Sequence, residues 1–260
     1  MTLQEVTVLG SGTLLSPGDR SCSAYLLDSV EGSVLLDCGS GTLLRLNQSN
    51  LSPEKISNVL ITHFHLDHAS DIPSLLMFRW LIEHTDGCVH KKKKITISGP
   101  VGLKDWYSWI LIRMEKWIKE LDVQIEEIGS APLELGGLQI EAKKTFHTEE
   151  SVCLRLTDER GSVLFYSGDT GYQESTINAA KEADLAIMEC SFPDTSRKPG
   201  HLTPSLAGKL AGEAQVKQLL LTHFYPEVLK EDIIKRVRNY YTGPVFMASD
   251  LSTYRIRCSL

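Results

Sequence analysis

Apolar residues fall along the chain in short runs that stop at glycine or polar turns, a pattern of buried strands separated by compact connections. Residues 6–9 form one such run and end at Gly10-Ser11-Gly12. Residues 24–27 and 33–37 flank Glu31-Gly32 and predict a hairpin, and the second strand runs into the glycine turn 37–41. Residues 59–61 and 95–97 predict further strands, the latter stopped by Ser98-Gly99-Pro100. Later runs at 138–145, 152–156 and 163–166 predict three consecutive strands, and 186–188, 218–221 and 245–247 predict three more.

Helical spacing marks 71–84, apolar on nearly all faces, and 103–121, which carries Trp106, Trp109 and Trp117. Both segments read first as core, with a pocket cover or a homodimer face as the alternatives. Residues 176–183, 205–213 and 231–240 predict helices between the later strands. A strand meander followed by strand–helix alternation, in both halves, predicts an α/β fold of two mixed β-sheets packed together with helices outside. Without a low-complexity linker or a repeat of about 20–50 residues, a single domain spanning 1–260 is expected.

Composition narrows the class. Of 260 residues, 42% are apolar and 23% charged, the balance of a globular protein. No apolar run approaches the ~20 residues of a membrane span. The first residues, Met1-Thr2-Leu3-Gln4-Glu5, do not resemble a secretory signal. Six cysteines at 22, 38, 88, 153, 190 and 258 include no C-x-x-C pair, so reduced thiols and a cytoplasmic location are expected. The net charge of −6 disfavours a general nucleic-acid coat. The one basic run, Lys91 to Lys94, reads as a solvated loop before a strand.

Candidate chemistry concentrates in Thr62-His63-Phe64-His65-Leu66-Asp67-His68, directly after an apolar strand. If the strand continues, His63 and His65 point to the same side. Asp67 and His68 stand just before a helix and can turn toward a second position. Imidazole and carboxylate suit zinc, and also manganese or iron. His147, Asp169 and His223 each follow another apolar strand, repeating the order of strand then ligand. His201 lies in Gly200-His201-Leu202-Thr203, while His84 and His90 read as non-functional.

In these residues the chain resembles the metallo-β-lactamase superfamily. HFHLDH matches its H-x-H-x-D-H motif, and LLDCGSG, FHTEES, SGDT and LTHF match further motifs in order, covering about residues 6–247. The resemblance implies an αββα sandwich with two divalent metal ions between the sheet edges. His63, His65 and His147 would hold one ion, and Asp67, His68 and His223 the other, with Asp169 bridging. Asp37 resembles a buried aspartate that orients the ligands, with a turn cap as the alternative.

The implied activity is hydrolysis by a metal-bridging hydroxide. Two divalent ions, two carboxylates and that hydroxide leave a locally positive site suited to a small anionic ester. A phosphodiester is the leading substrate; a lactone, thioester or sulfate ester is the alternative. Asp67 and His201 are the expected catalytic residues, His201 as proton donor to the leaving oxygen. GSGT, SGP, SGDT and G-H-x-T are most similar to the ribonuclease Z group and its shorter phosphodiesterase and arylsulfatase-like relatives. The short ribonuclease Z has a glycine-rich, tRNA-clamping arm between the positions of His147 and Asp169. Here the two positions are only 22 apart in the chain, so RNA processing is a secondary expectation.

Overall fold

The computed structural model describes residues 1–16, 18–27, 32–49, 51–85, 93–113 and 116–256. In the first half, β1 (Glu5–Gly10), β2 (Ala24–Leu27) and β3 (Ser33–Leu36) precede α1 (Thr42–Gln48), β4 (Ile56–Leu60), α2 (Leu66–Ala69), α3 (Ile72–Thr85), β5 (Ile95–Gly99), α4 (Leu103–Arg113) and β6 (Val123–Glu127). The second half runs β7 (Leu133–Leu135), β8 (Leu138–Lys144), β9 (Val152–Asp158), β10 (Val163–Tyr166), α5 (Glu174–Ala180), β11 (Leu185–Glu189), α6 (Pro204–Glu213), β12 (Leu219–Thr222), α7 (Ile233–Arg238), β13 (Val245–Met247) and β14 (Thr253–Arg255).

These strands form two seven-stranded mixed sheets, ordered β14-β1-β2-β3-β4-β5-β6 and β13-β12-β11-β10-β9-β8-β7. Each sheet joins an antiparallel meander to a parallel half. β1–β2–β3 are antiparallel and β3–β4–β5–β6 parallel. β7–β8–β9–β10 are antiparallel and β10–β11–β12–β13 parallel.

Side-chain alternation explains why the strands read as continuous apolar runs. In β2 and β3, Tyr25, Leu27, Val34 and Leu36 join the core shared with the second sheet. Their neighbours Ala24, Leu26 and Leu35 join a separate core with Leu46 of α1 and Leu75 and Leu76 of α3. Strands covered on both faces need apolar residues at every position. Leu154, Leu156, Phe165, Leu220 and Leu221 bring the second sheet and its helices into the shared core. The result is the expected αββα sandwich.

Several local expectations change. The 103–121 helix is α4 followed by a separate 3₁₀ turn at Lys116–Glu120. Trp117 is buried and Trp106 stacks on Phe64, whereas Trp109 is 63% exposed. β4 ends at Leu60, so His63 and His65 converge through a turn and not along a strand. Asp67 and His68 lie within the single-turn helix α2 itself. The short elements α1, β6, β7 and β14 carry patterns too brief to separate from loops. The hairpin pairs as expected, although Glu31 lies outside the described residues.

Cys22, Cys38, Cys153 and Cys190 are buried free thiols; Cys88 and Cys258 lie outside the described residues. His84 stacks on Trp80 and faces Glu120, and His90, Lys91 and Lys92 are again outside the described residues. Lys93 and Lys94 are exposed before β5. Among the described residues, no helix is long and apolar enough to cross a membrane.

Candidate metal centre

The C-terminal ends of the central strands meet along one edge of the two sheets, and each releases a polar residue there. β3 leads to Asp37, β4 to the 63–68 segment, β10 to Asp169, β11 into Glu189 and Ser191, and β12 to His223. β8 leads through a turn to His147. Such strand ends are the usual ligand position of open α/β sheets. Two non-glycine residues here, Asp37 and His223, take left-handed backbone, φ 55° and 57°. Conformations of that kind persist where surrounding structure holds them. Gly168 also has a positive φ of 52°, and a Cβ there would meet Thr62 at 2.8 Å. Glycine thus lets the Asp169 turn close against the His63 segment.

All seven expected ligands come together in two groups. His63, His65, His147 and Asp169 form one, and Asp67, His68 and His223 another. Asp169 spans both. Its Oδ2 lies 3.6 Å from His147 Nε2 and 3.8 Å from His63 Nε2. Its Oδ1 lies 3.2 Å from His68 Nε2 and 3.4 Å from His223 Nε2. Asp67 Oδ2 is 3.4 Å from His223 Nε2, and His65 Nδ1 is 3.1 Å from His147 Nε2.

Hydrogen bonds behind the ligands fix which nitrogen faces inward. His68 Nδ1 donates to Asp37 Oδ2 at 2.6 Å, since a carboxylate only accepts. His147 Nδ1 donates to the Gly200 carbonyl at 3.1 Å. The Thr62 hydroxyl donates to Asp37 and accepts from His63 Nδ1 at 3.1 Å. The Ser191 hydroxyl donates to Glu189 and accepts from His223 Nδ1 at 2.9 Å. Four imidazoles therefore present Nε2 lone pairs to a shared interior.

That interior fits divalent cations. His63 Nε2 and Asp169 Oδ1 are buried and have no hydrogen-bond partner. His68 Nε2 and His223 Nε2 face each other at 3.2 Å. Converging buried acceptors are costly unless a cation lies between them.

The titration behaviour agrees. Burial, aided by the neighbouring His68, keeps His63 well below the usual imidazole range, and burial also lowers His147. Burial opposes ionisation of Asp169, but His223 and His68 outweigh it and hold the carboxyl well below its usual range. For Asp67, burial is likewise outweighed by the adjacent His223, whose Nε2 lies 3.4 Å from its Oδ2, and by His68, so its carboxyl is held below the usual range. Burial disfavours a charged His68, yet Asp169 and Asp37 favour its proton. A bound cation would supply the same positive charge.

His201 stands at the edge of this cluster, Nδ1 3.1 Å from Glu189 Oε2 and 3.9 Å from Asp169 Oδ2. Burial lowers its affinity for a proton, but Glu189 more than compensates, raising the pKa to about 9. Glu189 is itself buried and anchored by the Thr170 amide at 2.6 Å. Asp37 is fully buried and accepts from the Thr62 amide, the Tyr166 hydroxyl and His68, contacts that go beyond capping a turn.

Sequence reasoning missed Thr62, Tyr166, Glu189, Ser191, Phe192 and Tyr225. Only Glu189 carried a usable signal: it ends the apolar run 185–188 as the ligands end theirs. Phe192 and Tyr225 stack beside His201, centroids 4.5 Å apart. Burial, followed by the nearby Asp67, pushes the Tyr225 phenol up to about 12.

Two facing mixed sheets with imidazoles and carboxylates gathered at one common edge define a metallo-hydrolase. The chain belongs to the β-lactamase superfamily, whose model, described as "Beta-lactamase superfamily domain", matches residues 33–224. It is 33% identical to the uncharacterized protein Rv1339 of Mycobacterium tuberculosis, over 97% of this chain and 92% of that protein. It is 30% identical to the probable metallo-hydrolase YhfI of Bacillus subtilis, over 94% of this chain and 96% of the relative. The YhfI crystal structure superposes with a TM-score of 0.84, covering 98% of this chain and all of that one, at 26% identity. The short form of human tRNase Z gives a TM-score of 0.75 at 26% identity, with 98% of this chain and 100% of that chain covered.

Proposed function

We propose that the protein is a phosphodiesterase with a two-metal site. The carrying observation is the division of Asp169, whose two oxygens face separate ligand groups while His201 stands beside them. His63, His65 and His147 would hold one ion with Asp169 Oδ2. Asp67, His68 and His223 would hold the other with Asp169 Oδ1. Zinc suits this nitrogen-rich set, with manganese or iron as alternatives. Divalent ions bound here supply an activated water near neutral pH and positive charge for the oxygens of a phosphoryl group.

The chain's own groups do the rest. Asp37, Thr62, Ser191 and the Gly200 carbonyl hold the imidazoles in one tautomer. His201 donates its Nε2 proton to the departing oxygen, and Glu189 stabilises the positive charge on that ring before transfer. A protonated imidazole in this position favours an anionic ester with a poor leaving group. The likeness to human tRNase Z supports a phosphodiester as the bond attacked. A small substrate fits better than tRNA, because β9 and β10 are joined by only residues 159–162.

The test is turnover of bis-p-nitrophenyl phosphate by zinc- or manganese-loaded protein, beside a lactone, a thioester and an aryl sulfate. Phosphodiester turnover that Asp67→Ala abolishes is the expected result. Turnover confined to one of the other esters, or unaffected by Asp67→Ala, overturns the proposal.

A further inference from the structure

We propose that Phe192 and Tyr225 form a leaving-group subsite that selects a flat aromatic ring. The inference rests on the phosphodiesterase reading, which sets His201 beside the leaving oxygen. Phe192 follows β11 and Tyr225 follows the adjacent parallel strand β12, so two separate segments deliver the rings to one place. They stack with an interplanar angle of 23°. The Phe192 ring meets His201 edge-on at 5.3 Å, and Tyr225 lies 6.4 Å from His201 and 5.9 Å from His223.

Neither ring belongs to the two hydrophobic cores or to the side chains packed against them, and both are half-buried. Among the described residues, the Tyr225 hydroxyl makes no hydrogen bond. Fold stability therefore gives little reason for this pair. A leaving group receiving the His201 proton would lie against it, and a planar ring there gains stacking that a saturated ring of equal size lacks. An aryl alcohol and a nucleoside both offer such a ring.

The test uses metal-loaded protein and three diesters of methyl phosphate whose second alcohol is benzyl alcohol, cyclohexylmethanol or a nucleoside 5′-hydroxyl. Release of that alcohol is measured. The benzyl or nucleoside ester should exceed the cyclohexylmethyl ester in kcat/KM by about fivefold or more. Whichever ring ester is preferred identifies the source. Phe192→Leu, or Tyr225→Leu if the first variant does not fold, should bring the ratio within about twofold of one.

Calorimetry with monomethyl benzylphosphonate and its cyclohexylmethyl counterpart should give the same preference in Kd. Equal kcat/KM and equal Kd for planar and saturated rings overturns the subsite. So does a preference that survives in the leucine variant. If no diester is cleaved, the phosphodiesterase reading fails, and the phosphonate affinities alone decide whether the pair selects a ring.

Discussion

Replacing Asp37 with asparagine isolates the hydrogen bonding behind the metal ligands. The side chain keeps its shape, and asparagine tolerates the left-handed backbone at φ 55°. Asp37 Oδ2 accepts from His68 Nδ1 at 2.6 Å and from the Tyr166 hydroxyl at 2.6 Å, while Oδ1 accepts from the Thr62 amide at 2.8 Å. If the asparagine oxygen keeps the bond from the Thr62 amide, its NH₂ faces three donors, His68 Nδ1 and the Tyr166 and Thr62 hydroxyls. His68 can relieve the clash only by moving its proton to Nε2, the nitrogen aimed at Asp169. Metal affinity should then fall about 10–100-fold, the usual cost of losing such a partner, or about 1.4–2.7 kcal/mol. Each charge-assisted bond lost should also remove about 1.5–3 kcal/mol from the metal-free fold. Chelator competition measures the first and urea unfolding the second. Tyr166→Phe, which keeps the Asp37–His68 pair, should leave affinity within about threefold. A folded Asp37→Asn protein binding metal as tightly as the parent would refute the tautomer argument.

Removing bound metal with a chelator should lower the unfolding midpoint, by an amount equivalent to about 2.7 kcal/mol where free metal had stood at 100 times Kd; an unchanged midpoint would argue against occupancy. The His201–Glu189 pair sets a pH dependence. The raised His201 pKa of about 9 means that the proton donor is present below that value and lost as pH rises through it. In metal-free protein the pair's contribution to stability should be complete below about pH 6.5 and disappear as pH passes about 9. His201→Gln should flatten that dependence in urea titrations, and nearby metal ions should move the corresponding kcat/KM limb below 9. Gly39→Ala places a Cβ 2.1 Å from the Asp67 carbonyl oxygen, so it should cost about 1–3 kcal/mol in thermal unfolding and weaken metal binding.

Much of this site was legible because metal chemistry restricts residue types. His63, His65, His147, Asp169 and His223 all follow apolar runs, and a sheet edge collects such residues without any need to know the topology. The same logic recovers the central strands of both sheets, which are covered on two faces and apolar throughout, but not the edge strands β6, β7 and β14, which are short and partly exposed. The orienting residues were less visible. Thr62 and Ser191 are common residues whose importance depends on one hydroxyl lying between an imidazole and a carboxylate. The Phe192–Tyr225 pair joins positions 33 residues apart through strand pairing that local spacing does not reveal. The 103–121 segment shows a related gap: Trp106, Trp109 and Trp117 all fit helical spacing, but only tertiary packing decides that Trp117 enters the core and Trp109 stays exposed.

The charge balance makes a final prediction about substrate size. The chain carries −6 overall, and Asp37, Asp67, Asp169 and Glu189 gather at the site itself. Without cations, this cluster would repel an anionic ester; with two divalent ions, its local sign reverses. That reversal is short-ranged, because counterions screen exposed charge beyond about 10 Å at 0.1 M salt. It suits one phosphate and does little for a long polyanion, which needs basic side chains along its path. Cleavage of a small diester should therefore vary weakly with salt, with a slope of log kcat/KM against log salt no steeper than about −1. A single-stranded RNA held through six phosphates would give about −4. Measuring both substrates across salt at constant metal activity separates the cases. Efficient RNA cleavage with the steeper slope would show that basic contacts, and not the local charge reversal at the metals, govern substrate capture.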